Sequence, residues 1–403
     1  MQLSRTNCLR FTTDFIITHL KGMRGGWTPP LEDTESRSST PLTGDPWYMD
    51  SLELVTLAGM LTETFQVHET GIEDLFLARP SISEWAQIIE TSLQNYSSKM
   101  VFYTSGSTGR PKPVEHLTSL LDEEIQELAR EIHLPVRRVI SFVPSNHIYG
   151  FLFSLLLPQY ISSLQSEKVP VEHKAGGSSR PVCGPGDMIL AVPALLRVWR
   201  TSGVSFPPGT TVISSTAPLP KEDAIWLLQQ NVHLLEVFGS SETAGIGVRH
   251  NTADGFRLLP YWERQTKGSG KTERDFLIRD GLAAPVALPD NLTWMDERRF
   301  DFVKRHDNAV QVNGINVYPA RIAERLTALP QVSQSMVRSY EGPSGTRLKA
   351  YIVPSSQYSG KHLQLEQELR GWSSQHLSSP ERPAVYHFGD KLPATVMGKP
   401  ADF

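Results

Sequence analysis

Ten residues from Tyr103 to Lys112, Tyr-Thr-Ser-Gly-Ser-Thr-Gly-Arg-Pro-Lys, concentrate hydroxyls, glycines and a terminal ammonium. Gly106 and Gly109 let backbone N–H groups close around an anion. Thr104, Ser105, Ser107 and Thr108 add short donors, and Lys112 adds a charge. The apolar run Lys99–Tyr103 ahead of them predicts a buried strand, and a strand feeding such a loop suits a polyphosphate. It is not a Walker loop, which needs Gly, four residues, then Gly-Lys-Ser/Thr. A solvated Ser/Gly linker is the plainer alternative. Ser51 is a second candidate. It follows Asp50 at the start of an amphipathic run, where a hydroxyl is exposed beside a dipole end that favours a phosphodiester. Its plainer role is a helix cap, which either Asp50 or Ser51 can supply.

The elements that carry these residues alternate. Apolar periodicity predicts helices over 4–22, 50–65, about 70–78 and 82–95, with a long loop at 23–48. After Lys112 come a helix over Leu117–Ile132, a strand at Val139–Pro144 and a helix from Gly150 to Tyr160. Strands follow at Met188–Pro193 and Thr211–Ser215, then a helix over Pro220–Gln230. Such alternation implies a largely parallel α/β sheet. Segments 163–186 and 262–274 are polar and rich in Gly, Ser and Lys, and read as surface loops. The chain has 403 residues, enough for two or three domains. Its net charge of −4 offers no nucleic-acid or anionic-membrane surface. Two distant cysteines, Cys8 and Cys183, fit a reducing compartment and give no metal-ligand spacing. No run approaches the ~20 apolar residues of a membrane helix, and the first residues lack a signal peptide's apolar core. A cytoplasmic protein is expected.

The order Tyr-Thr-Ser-Gly-Ser-Thr-Gly-x-Pro-Lys closely resembles the phosphate loop of the adenylate-forming enzymes: acyl- and aryl-CoA synthetases, 4-coumarate–CoA ligases and peptide-synthetase adenylation domains. Further motifs follow in that family's order. Pro144-x-x-His147-Ile-Tyr149 resembles the segment lining the acyl pocket of 4-coumarate–CoA ligases, which places His147 beside the carboxylate. Ser214-Ser215-Thr216-Ala217-Pro218-Leu219 stands for Gly-Ala-Ala-Pro-Leu, with Ser215 and Thr216 replacing Gly and Ala. Phe238-Gly239-Ser240-Ser241-Glu242 stands for Tyr-Gly-x-Thr-Glu. The resemblance implies that Phe238 and Gly239 face adenine, Ser241 the α-phosphate, and Glu242 a Mg²⁺ ion, for which a hard oxygen donor is apt. Asp290 and Arg305 fall on the ribose-binding pair, Asp307 on the hinge, and Lys399 on the mobile catalytic lysine of the terminal Leu-Pro-x-Thr-x-x-Gly-Lys.

The implied fold is an α/β AMP-binding domain at 98–304 with a small mobile α+β domain at 305–403 carrying Lys399. Residues 1–97 are expected as an all-α unit that resembles an acyl carrier protein, with Ser51 on the phosphopantetheine serine and Phe65 on its usual aromatic. A docking relic is the alternative. The subdomain that ordinarily precedes the phosphate loop is missing. Short ligases of this build resemble those of aryl polyene and xanthomonadin pathways. The resemblance implies ATP- and Mg²⁺-dependent activation of a carboxylic acid, of hydroxybenzoate or coumarate type. The acyl group then passes to phosphopantetheine on a carrier protein, either at Ser51 or on a partner. A free CoA ligase is the alternative, and a non-catalytic carrier-docking scaffold is a third reading.

Overall fold

A computed structural model of the chain describes residues 1–24, 27–29, 38–105, 111–133, 135–174, 180–265, 275–305, 309–312, 315–342, 345–393 and 403. The chain packs as two compact units. One comprises Met1–Met23, Trp27–Thr104 and Pro111–Val303; Lys304–Phe403 makes up most of the other.

The first unit opens with helices α1 (Arg5–Met23), α2 (Ser51–Phe65) and α3 (Ile82–Asn95). Asp50, not Ser51, caps α2. Its carboxylate accepts from the Glu53 N–H at 2.8 Å, and Glu53 returns a bond to the Asp50 N–H at 3.0 Å, a reciprocal pair that fixes the first turn. Strands β1 (Lys99–Ser105) and β2 (Pro111–Leu117) pair with each other and flank the glycine-rich loop. Helix α4 (Thr118–Arg130) follows.

The large sheet is built from β3 (Arg138–Ser141), β4 (Val171–His173), β5 (Asp187–Ala191), β6 (Thr211–Ser214), β7 (His233–Ser240), β8 (Ala244–Arg249), β9 (Phe256–Leu258), β13 (Asp290–Trp294) and β14 (Arg299–Arg305). Their order is β13-β14-β9-β8-β7-β6-β5-β3-β4 among the described residues. Strands β4, β3, β5, β6 and β7 run parallel, and β8, β9 and β14 continue the sheet antiparallel. A small antiparallel sheet of β10 (Glu263–Gln265), β11 (Phe276–Ile278) and β12 (Val286–Ala287) completes this unit. Strands β4 and β10 fall within segments expected as loops. Each has three residues and no apolar run, so only pairing reveals them.

The central parallel strands β5 and β6 are buried on both faces, and alternate residues of β5, β6 and β7 feed two cores. Ile189, Val212 and Leu234 pack under α6 (Pro193–Thr201) and α7 (Lys221–Leu228) with Trp199, Leu196 and Leu227. Met188, Leu190, Ile213 and Leu235 point the other way. On that face lie a buried π-helical stretch, Phe151–Leu156, its continuation α5 (Leu157–Gln165), and helices α1 to α3. Phe11 of α1 meets Phe65 of α2 edge-on at 4.8 Å and Phe151 at 5.9 Å, and Phe151 meets Phe102 of β1 at 5.2 Å. The helices of residues 1–97 therefore share one core with the sheet. The break expected at residue 97 is not a break in packing, because the apolar faces of α1 and α2 cover aromatics of the α/β layer.

The second unit has a hairpin of β15 (Val310–Val312) and β16 (Ile315–Val317), then helix α8 (Pro319–Thr327). Strands β17 (Val332–Gly342), β18 (Gly345–Pro354) and β19 (Val385–Phe388) form a mixed sheet with helix α9 (His362–His376). Its own core includes Val317, Ile322, Leu326, Leu348, Ile352, Leu365 and Leu369.

Candidate active site

Parallel strands deliver loops at their carboxyl ends, where open α/β sheets bind ligands. Here the loops after β3, β6 and β7 carry Pro144–Tyr149, Ser215–Leu219 and Ser241–Thr243. Side chains lock them to one another. Tyr149 donates its hydroxyl toward Ile213 O of β6 at 2.8 Å and Ala191 O of β5 at 3.1 Å. Ser215 donates to Val237 O at 2.8 Å, setting the β6 loop beside Phe238. Thr216 has φ +82°, a left-handed value that a β-branched residue rarely adopts, and its Oγ1 is buried with no partner among the described residues. Such strain concentrates at ligand sites. Ser215 and Thr216, the two departures from the family pattern, thus differ. One is a strut of the framework and the other holds an unused hydroxyl.

The turn after β7 is held most tightly. Gly239 and Gly245 pair across it; a Cβ on Gly239 would lie 2.1 Å from Ala244 O, and one on Gly245 2.6 Å from Glu124 Oε1. Glu124 of α4, fully buried, accepts the Gly245 N–H at 2.8 Å. Tyr261 and Trp262 both donate to Gly245 O, at 3.0 and 2.8 Å. Burial raises the Glu124 carboxyl to about 7, against the opposing pull of Arg279 and the Gly245 N–H. Arg279 bonds Glu123 at 2.7 Å and lies over the Tyr261 ring at 3.7 Å. His116, on the strand leaving the phosphate loop, shares a 2.7 Å hydrogen bond with Ser241 O. Burial pushes its imidazole toward the neutral form. The Phe238 ring rests on Phe256, Phe300 and Phe302, at 5.3, 5.4 and 6.0 Å between centroids.

The N-terminal helix reaches this region. Asp14 of α1 is buried, bonds Arg10 at 2.8 Å, and accepts from the backbone N–H and hydroxyl of Ser145 at 2.8 and 2.7 Å. Thr18 donates to Asn146 at 3.2 Å. Helix α1 thereby fixes the loop that ends in His147. Between them is a small hollow open to solvent. Phe11, Phe15, Val101 and Phe102 give it apolar walls, and Thr18, His19, Thr64, Tyr103, Asn146 and His147 give it polar ones. Tyr103 also bonds Glu63 of α2.

Of the expected site residues, Phe238, Gly239, Ser241, Ser215, Thr216 and Ala217 lie on loops or strand ends drawn together by these bonds. His147 stands exposed on the hollow. Glu242 is exposed in the β7 turn, and Lys112 is exposed on β2. Asp290 is buried at the start of β13, the far edge strand, away from the β6–β7 loops in sheet order. Thr104 and Ser105 are placed as backbone at the end of β1. Arg305 ends β14, and its side chain lies outside the described residues. Gly106, Ser107, Thr108, Gly109, Asp307 and Lys399 also lie outside them. Ser51 is exposed in the first turn of α2. Asp14, His116 and Glu124 were not singled out from the sequence, because their partners lie more than a hundred residues away.

No group of three His, Cys, Asp or Glu among the described residues forms a metal cage. An exposed single carboxylate at Glu242 beside the Ser241 hydroxyl fits a cation that arrives with phosphate oxygens, as Mg²⁺ does. Among the described residues, no helix is long and apolar enough to cross a membrane.

The fold is that of adenylate-forming enzymes. It matches a solved o-succinylbenzoate CoA synthetase from Bacillus subtilis with a TM-score of 0.57 over 75% of this chain and 67% of that one, at 17% identity. Residues 321–399 match the family of AMP-binding enzyme C-terminal domains. A 4-coumarate–CoA ligase of Halorhodospira halophila is 37% identical over 98% of this chain and 99% of its own length. One from Rhodobacter capsulatus is 35% identical over 90% and 93%. The chain belongs to the AMP-binding acyl- and aryl-CoA synthetase family, among its 4-coumarate–CoA-ligase-like members, and is an AMP-forming acid–thiol ligase.

Proposed function

We propose that the chain activates an aromatic carboxylic acid, of hydroxycinnamate or hydroxybenzoate type, and joins it to CoA. The observation that carries the reading is the aromatic-walled hollow at His147, beside the strand that enters the phosphate loop. The acid's carboxylate attacks the α-phosphorus of ATP and displaces pyrophosphate. The CoA thiol then attacks the carbonyl of the acyl-adenylate and releases AMP. Residues 104–109, Lys112 and Ser241 hold the phosphates. Phe238 and Gly239 face adenine, and Asp290 and Arg305 the ribose. Glu242 is the carboxylate for Mg²⁺, whose charge offsets that of the phosphates. Lys399 stabilises charge on the carboxylate and α-phosphate, and Asp307 is the hinge. His147, Ser215, Thr216 and Ala217 border the acid.

CoA replaces the carrier protein as the favoured acceptor on two grounds. A relative named as a CoA ligase matches over nearly the full chain, residues 1–97 included. Those residues also build the core of the first unit rather than a module of their own. Pyrophosphate exchange against benzoic, cinnamic and fatty acids tests the acid. Stimulation by hydroxylated cinnamic or benzoic acids is expected. Exchange driven best by a C12–C16 acid overturns the reading, since a long apolar tail would bury the unpaired hydroxyl of Thr216.

A further inference from the structure

We infer that helices α1 and α2 supply the specificity end of the acid pocket, with Thr64 as the residue that hydrogen-bonds a ring hydroxyl of the substrate. This rests on the hollow being the acid site. Three observations converge. The hollow is walled by Phe11, Phe15 and Phe102, an aromatic lining of the kind that packs against a ring. Thr64 lines it from α2, is 1% exposed, and its Oγ1 has no hydrogen-bond partner among the described residues. An uncompensated buried hydroxyl is costly, and a ligand hydroxyl removes that cost on binding. His19 lines the hollow from α1, its ring tilted against Phe15 at 4.3 Å between centroids, and burial lowers its imidazole to about 4. It is neutral at pH 7, so it suits a neutral phenol and gives no charge to hold a second carboxylate.

Asp14 and Thr18 of α1 tie down Ser145 and Asn146, so the same helix that lines the hollow also positions the His147 loop opposite. The N-terminal helices are a wall of the site. A substrate whose ring carries a hydroxyl satisfies Thr64, whereas the same acid without the hydroxyl leaves it unpaired. A site built to bond a hydroxyl rejects the analogue that lacks it more strongly than an apolar pocket rejects an added methylene.

The test is kcat/KM for 4-coumarate and for cinnamate in the full-length wild type, T64V and T64S, read by pyrophosphate exchange. Thr64→Val keeps the shape and removes the hydroxyl. Wild type is expected to prefer 4-coumarate by tenfold or more. T64V should lower kcat/KM for 4-coumarate about tenfold, leave cinnamate unchanged or improved, and so collapse the preference, while T64S retains it. A preference unchanged in T64V, or equal losses on both acids, overturns the assignment of Thr64. Wild type that activates both acids without preference overturns it as well and leaves the aryl-acid reading standing. Wild type that activates neither, yet exchanges with another class of acid, overturns both.

Discussion

At the scale of single residues, the site depends on buried carboxyls that no motif contains. Asp14 gives Ser145 two charge-assisted hydrogen bonds and pairs with Arg10. Asp14→Ala leaves those donors unmatched and is expected to destabilise by about 2–4 kcal/mol, read in denaturant unfolding. It should also raise KM for the acid, because the His147 loop loses its tether, while KM for ATP changes little. Glu124 makes the complementary prediction in pH. Its folded pKa, raised to about 7, lies above the ordinary 4.5, so the folded chain holds a proton that the unfolded chain releases. Its contribution is complete below pH 4.5 and lost as pH rises to 7. Glu124→Gln keeps an acceptor for the Gly245 N–H and does not titrate. Relative to wild type, its stability should rise by about 3 kcal/mol between pH 4.5 and pH 8, from 2.5 units at 1.36 kcal/mol each. A constant difference across that range would show that folding leaves the Glu124 pKa unshifted.

Elements tell a different story from motifs. The apolar runs announced β1, β3, β5 and β6, and Asp50 announced the start of α2. The order of Gly, Ser, Thr and Glu placed the candidate phosphate and metal ligands on loops after strands. What could not be seen was which helix covers which face. Amphipathic helices of a carrier module and of a wall built onto a sheet carry the same periodicity. Only the meeting of Phe11 with Phe151, and of Asp14 with Ser145, separates the two. Likewise β4, with Glu172 and His173 among its three residues, reads as loop until its pairing with β3 is known. Because α1 and α2 share a core with the sheet, Phe11→Ala should cost about 3–5 kcal/mol. It should lower the transition of the whole first unit rather than melt the helices alone. Circular dichroism and tryptophan emission, read in a variant that keeps only Trp199 and Trp262 of the α/β layer, should shift together. Early loss of helix with that emission intact would restore an independent N-terminal domain.

For the whole molecule, the proposed role of Lys399 is confined to the first half-reaction. Lys399→Ala is expected to lose about 10²-fold or more in adenylate formation, some 3 kcal/mol of transition-state stabilisation. It should form thioester from a supplied acyl-adenylate at near wild-type rate. Equal losses in both half-reactions would contradict a role confined to adenylation. The central claim is that this is an aryl acid–CoA ligase whose N-terminal helices are part of the first unit and not an acyl-carrying module, and it meets its most direct test in the fate of the acyl group. Purified protein is given MgATP, 4-coumarate and CoA, after incubation with a phosphopantetheinyl transferase. The products are then followed by mass. The expected result is 4-coumaroyl-CoA with AMP in equal amounts, no mass added to the chain, and the same yield from Ser51→Ala. A phosphopantetheine and then an acyl group appearing on Ser51, with free CoA left unacylated, would contradict it.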